Sequence, residues 1–119
     1  PYLYTRQIFM PAGSLIVSKI HKFQHPFIIS QGVVHVKIND GEWERLEAPY
    51  TGITEPGTRR VLYVEENCIW TTMHVCDIYP ESGSEEDIQK AVDKIEEIII
   101  EKRESLIFSK PSKTIDNES

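Results

Sequence analysis

The sequence predicts a mainly β fold, a small antiparallel barrel carrying a C-terminal α-helix, for this chain of 119 residues. Three observations point there. Residues 4 to 76 fall into short β-branched and aromatic runs separated by Gly, Pro, Asn and Asp, the pattern of a sandwich or barrel. From residue 84 the apolar period changes from two to three or four, which is the helical repeat. The composition, 39% hydrophobic and 27% charged, is that of an ordinary globular domain, and this length holds a single core.

The elements follow in order. Tyr4 to Met10 reads as a strand stopped by Pro11-Ala12-Gly13, and Leu15 to His21 and Pro26 to Ser30 as the next two. Gly32 permits a bend or a close approach before Val33 to Ile38. There Val34, Val36 and Ile38 share one face and His35 and Lys37 the other. Asn39-Asp40-Gly41 is the strongest hairpin signal, because Asp-Gly tolerates the positive φ of a type I′ turn. Glu42 to Leu46 returns from it, Gly52 to Thr54 is a short strand, and Glu55-Pro56-Gly57 is a second tight turn. Arg59 to Val64 and Ile69 to Ile78, joined by Glu65-Glu66-Asn67, complete the barrel over residues 1–80.

Residues 81–108 form the helical segment. Ser84 is placed to cap it, with Glu85, Glu86 and Asp87 in the first turn. Ile88, Ala91, Val92, Ile95, Ile98 and Ile99 make an apolar stripe, and the helix is expected to run to about Ile107. The stripe either covers the barrel or meets a second copy in a homodimer. Residues 109–119, polar and containing Pro111, read as a disordered tail.

The net charge of −6 argues against a partner bound mainly through phosphate contacts, so nucleic acid is not expected. No apolar run approaches the roughly 20 residues that span a bilayer. The opening residues PYLYTRQIFM lack the basic-then-apolar pattern of an export signal, which makes the cytoplasm the expected compartment. Cys68 and Cys76 are accordingly expected to be reduced.

Three histidines, His21 and His25 close together and His74 far along the chain, point toward one cavity if the strands close as a barrel. Neutral imidazole is the commonest protein ligand for transition metals, and three such ligands leave a position open for chemistry. Each also has a plainer reading as a partly buried, hydrogen-bonded side chain. Arg60 and Lys19 would bring positive charge to the same pocket, where a guanidinium suits a small anion, and Tyr63 offers a hydroxyl. At least one of Arg59 and Arg60 must face solvent if their strand alternates. Trp43 and Trp70 read as packing residues and His35 as surface.

The stretch PAGSLIVSKIHKFQHPFIISQG, from Pro11 to Gly32, resembles the first motif of the cupins. GITEPGTRR, from Gly52 to Arg60, resembles their second motif. The resemblance covers residues 4 to 78 and implies a jelly-roll (double-stranded β-helix) barrel with a metal in its pocket. Counted from Gly32, His21 falls on a family histidine, His25 on the family glutamate and Lys19 on the other histidine. Arg60 falls on the histidine of the second motif. Two of four usual ligand positions thus hold imidazole and two hold cations, which marks a divergent member. The His-Lys pair, the PGT turn and WTTMH also resemble small cupin-like proteins of tailed bacteriophages.

Three functions are compatible with these residues. The first is a pocket protein holding one divalent transition metal (zinc, iron, manganese or nickel) through His21, His25 and His74, with a small polar or anionic ligand near Lys19, Arg60 and Tyr63. Such a protein is open to metal-dependent catalysis. The second is a metal-free, phage-encoded binder that sequesters a small nucleotide-like molecule or blocks a host defence protein. The third is a structural accessory protein. No P-loop, Gly-x-Ser-x-Gly or Cys-x-x-Cys motif favours any other chemistry.

Overall fold

The computed structural model describes residues 1–102 and 106–109. In chain order it contains β1 (Tyr2–Met10), β2 (Ser14–Val17), β3 (Ile20–His21), β4 (His25–Ile38) and β5 (Trp43–Glu47). Then come β6 (Tyr50–Thr54), β7 (Arg60–Cys76), α1 (Glu85–Ile99), β8 (Ile100–Lys102) and β9 (Leu106–Ser109).

Two long strands, β4 and β7, organise everything else. Both run straight through segments that read as breaks in the sequence, Gln31-Gly32 and Glu65-Glu66-Asn67. These polar residues are accommodated as irregularities in a continuous ladder, with register shifts between Ile29 and Val34. An extra unpaired residue bends a strand without ending it. Gly32 makes the bend possible: its φ is +98°, and a Cβ there would lie 2.2 Å from the Asn67 carbonyl oxygen.

The bend divides the sheet into two halves that share β4 and β7. In one, β4 lies between β6 (His25–Ile29 against Thr54–Tyr50) and β7 (Phe27–Gln31 against Thr72–Ile69), and β7 pairs on its far side with β1. In the other, β4 lies between β5 and the beginning of β7, which pairs in turn with β2, and β2 with β9. All these pairings are antiparallel. Side chains from both halves meet in one core, in which Ile29, Val34, Val64 and Cys68 are inaccessible to solvent. Period-2 alternation puts Val34, Val36, Leu62 and Val64 inside and His35 and Tyr63 outside.

Among the described residues the sheet does not close into the expected barrel: its strand order, β5-β4-β7-β2-β9 with β6 and β1 as branches, is an open path. The Asn39-Asp40-Gly41 hairpin forms as expected, but its positive φ falls on Asn39, at +51°, one residue before the Asp-Gly pair.

Helix α1 begins as its sequence implies. The Ser84 hydroxyl accepts from the Asp87 N–H at 3.2 Å, beside three acidic residues in the first turn. It ends earlier than its apolar stripe suggests, at Ile99 and not near Ile107, because Ile100 is already extended and opens β8. The run Ile98-Ile99-Ile100 is β-branched, which weakens the helix where a neighbouring strand offers a ladder. The docked face is narrower than the stripe as well. Ala91, Ile95 and Ile99 are buried, whereas Ile88 and Ile98 are largely exposed. Ile95, Ile99 and Ile100 pack against Tyr4, Cys76 and Ile78 of the same chain. That part of the stripe is therefore covered by the sheet of the same chain. The tail expected from residue 109 lies, beyond Ser109, outside the described residues.

Candidate metal centre

The three histidines come from three elements and meet at one end of the core. His25 opens β4, and His74 lies near the end of β7. Both project to the inner face because they share parity with Phe27 and Thr72, which are cross-strand partners. Two residues before Phe27 on β4 and two after Thr72 on β7, His25 and His74 stand side by side, with ring centroids 4.4 Å apart.

His21 arrives differently. On β2 the inner face carries Ser14 and Ile16, while Leu15 is 38% exposed, so simple alternation from Leu15 does not predict where His21 points. The strand is interrupted at Ser18 and Lys19, and there the parity changes. Ser18 closes the β2 ladder, donating its N–H to the Arg60 carbonyl while its hydroxyl accepts from the Arg60 N–H. β3 then pairs with β8 (Ile20 with Lys102, His21 with Ile100), and Lys22 N–H donates to the Ile99 carbonyl at 2.7 Å. The segment that follows the helix thus holds His21 in place, 4.4 Å from His25 and 5.2 Å from His74 between ring centroids.

The ligating atoms of His21, His25 and His74 all lie within 4.8 Å of one another. His25 and His74 are only 3% and 5% exposed. His25 Nδ1 lies 3.1 Å from the Phe23 carbonyl oxygen, which can only accept. Nδ1 therefore carries the proton and Nε2 keeps its lone pair, the arrangement that orients a metal-binding imidazole. His74 Nε2 contacts the Thr72 hydroxyl at 3.2 Å. His21 Nε2 is buried with no hydrogen-bond partner among the described residues, a costly arrangement unless something else meets it.

Burial also sets the charge of the cluster. It lowers the pKa of His21 to about 3, helped by the neighbouring His25 and His74, and then by Arg6 and Lys19. His74 falls to about 4, mainly through burial and His25, with Glu96 acting the other way. His25 is lowered by burial, partly offset by its bond to Phe23, and Arg60 lowers it further. All three are neutral at pH 7, the state that binds metal. These observations fit a divalent transition ion held by three imidazole nitrogens.

Around the cluster lies a cavity of about 300 Å³, lined by His21, His25, Lys19 and Arg60 among others. Arg60 faces inward and is 7% exposed, while Arg59 faces solvent. Its guanidinium lies 4.8 Å from the Phe27 ring centroid and 5.7 Å from that of Trp70, two rings stacked on each other at 4.5 Å. Gly52, paired with Phe27, leaves room for that ring: a Cβ there would come within 2.6 Å of it. Tyr63 does not reach the cavity. It stands on the outer face of β7, 45% exposed and near His35, as parity with inward Arg60, Leu62 and Val64 requires. Trp70 is core, Trp43 is half exposed, and Cys76 turns toward the Ile78 carbonyl, outside the histidine group.

Four residues that no local sequence signal marks, Thr54, Tyr4, Arg6 and Glu96, also build the site. Thr54 accepts from Arg60 Nη1 at 2.8 Å. Glu96, from the helix, accepts from the Tyr4 hydroxyl at 2.9 Å and pairs with Arg6 Nε at 3.3 Å, beside the His74 ring. Burial, and then that bond, raise the Tyr4 pKa to about 12, so Tyr4 stays a neutral donor. Nothing local in the sequence ties Glu96 to β1, since only the docking of Ile95 brings it there. No protein-family model and no curated protein matches this chain.

Proposed function

We propose that this chain is a divergent cupin, similar in layout to the small cupin-like proteins of tailed bacteriophages, and that it binds one divalent transition metal (zinc, iron, manganese or nickel) through His21, His25 and His74. The observation that carries the metal reading is a buried group of three neutral imidazoles with mutually close ligating atoms, one of whose nitrogens, His21 Nε2, has no partner among the described residues. A bound ion would supply Lewis acidity and lower the pKa of a coordinated water. The chain's own residues would do the rest. His25 is oriented by the Phe23 carbonyl and His74 by Thr72, while Arg60 and Lys19 favour a small polar or anionic ligand in the adjoining cavity.

A second reading keeps the pocket and drops the metal. Arg60 is buried without a carboxylate partner among the described residues, so the pocket also suits a non-catalytic binder of small anions, whether a nucleotide-like signal or another metabolite. Cobalt titration separates the two. The metal reading expects visible d–d absorption to saturate in the wild-type protein and to vanish in a His21→Ala/His74→Ala variant that still folds. A featureless titration of the wild type would remove the metal reading and leave the metal-free ones.

A further inference from the structure

Arg60 is a buried cation with too few partners. Of its guanidinium hydrogens, those on Nη1 reach Thr54, and the described residues offer the group no second acceptor and no carboxylate within 4.0 Å. Guanidinium does not discharge to relieve such burial, because it stays protonated at any ordinary pH. The aromatic pair Phe27 and Trp70 supports one side of it, a contribution that falls short of a full charge-assisted partner. Neutral histidines next to it offer no counter-charge either.

The walls of the same cavity are of another kind. Ile8, Met10, Ile16, Leu62 and Trp70 line much of it, and of the three cations that also line it, Arg6 is paired with Glu96 and Lys19 is only partly buried, so Arg60 is the one deeply buried charge there. A phosphate group spreads its charge over several oxygens and calls for several donors. A carboxylate needs one guanidinium edge and carries an apolar body behind it.

We propose that the pocket selects a small organic acid with one carboxylate and a compact apolar body, the carboxylate paired with Arg60 and the body against Ile8, Met10, Ile16 and Leu62. The assignment deepens the pocket reading above and rests on its cavity. It does not require the metal. Arg60 acts as the specificity residue, and Thr54 holds its guanidinium toward the ligand.

The test uses the full chain, with 4-methylpentanoate and cyclohexanecarboxylate as probes and their primary amides as controls. Binding is followed by ligand-observed NMR and calorimetry, once in a chelator and once with zinc added. The carboxylates should bind at least about tenfold more tightly than the amides in both conditions, since the amide keeps shape and loses the charge. Arg60→Gln should weaken the carboxylates by about ten- to a hundredfold and leave the amides unchanged. If that variant fails to fold, the acid-against-amide comparison on the wild type still decides. Equal binding of acid and amide overturns the proposal, and so does displacement of the acids by equimolar inorganic phosphate. Binding that needs zinc and ignores Arg60→Gln places the carboxylate on the metal, which sinks this inference and spares the metal site. Acid binding through Arg60 in a protein that takes up no zinc upholds it while the metal reading fails.

Discussion

Acidifying the metal-free protein from pH 7 to pH 5 should strip away a large share of its stability, and the histidine cluster dictates how much. Burial holds His21 at about 3 and His74 at about 4 in the folded protein, whereas each titrates near 6.5 once unfolded. Below pH 6.5 the unfolded chain therefore binds more protons than the native one, and stability falls as pH falls until the native pKa values are reached. Between pH 7 and pH 5 the unfolded-state protonation amounts to about 2 kcal/mol per histidine, so the pair contributes about 3–4 kcal/mol. His25, lowered in the same sense, adds to this. Glu65, held below its ordinary range by Arg45 and His35, titrates beneath this window and does not interfere. For a domain of this size the loss corresponds to a melting temperature roughly 10–15 °C lower at pH 5. Circular-dichroism melts in chelator at pH 7, 6 and 5 measure it directly. Saturating zinc should recover about 3 kcal/mol when its free concentration is about a hundred times the dissociation constant. A melting temperature that stays constant between pH 7 and pH 5 would refute the claim that these three imidazoles are buried neutral together.

Other perturbations probe separate links. Gly32→Ala forces a side chain into a left-handed backbone and against the Asn67 carbonyl; a loss of at least about 2–3 kcal/mol is expected in urea unfolding, and a neutral effect would mean the β4 bend is dispensable. Thr72→Val removes the hydroxyl beside His74 Nε2 with little change of volume, so zinc affinity by calorimetry should drop about tenfold while the melt of the metal-free protein moves little. Ile95→Asp puts a charge into the helix–sheet contact and should cost about 3–5 kcal/mol. Because β8 anchors His21, it should also weaken zinc binding, and an unchanged isotherm would show that the C-terminal segment does not support the site.

Much of the fold was legible because its signals are local. The Ser84 cap, the Asn-Asp-Gly hairpin and the alternation of Val34 and Val36 each require only their neighbours. The convergence of His21, His25 and His74 was also readable, once the chain was taken as antiparallel strands around a cavity. What escaped depends on long-range partners. Glu65-Glu66-Asn67 looks like a turn, yet β4, with Val33 opposite Glu66, holds it inside one seventeen-residue strand. The isoleucine run at residues 98–100 favours helix by period, and β3 claims its last residue for a strand. Parity could have excluded Tyr63, since Arg60 and Tyr63 are an odd number of residues apart and an unbroken strand cannot turn both inward. Parity could not place His21, because the strand carrying it is interrupted at Ser18 and Lys19.

The most direct test of the central claim is elemental analysis of untagged protein, reconstituted with zinc and then exhaustively desalted. One equivalent per chain in the wild type, lost in His21→Ala/His74→Ala, is the predicted result for a three-histidine site. A wild-type protein that retains no metal, or a folded double variant that retains a full equivalent, would contradict it.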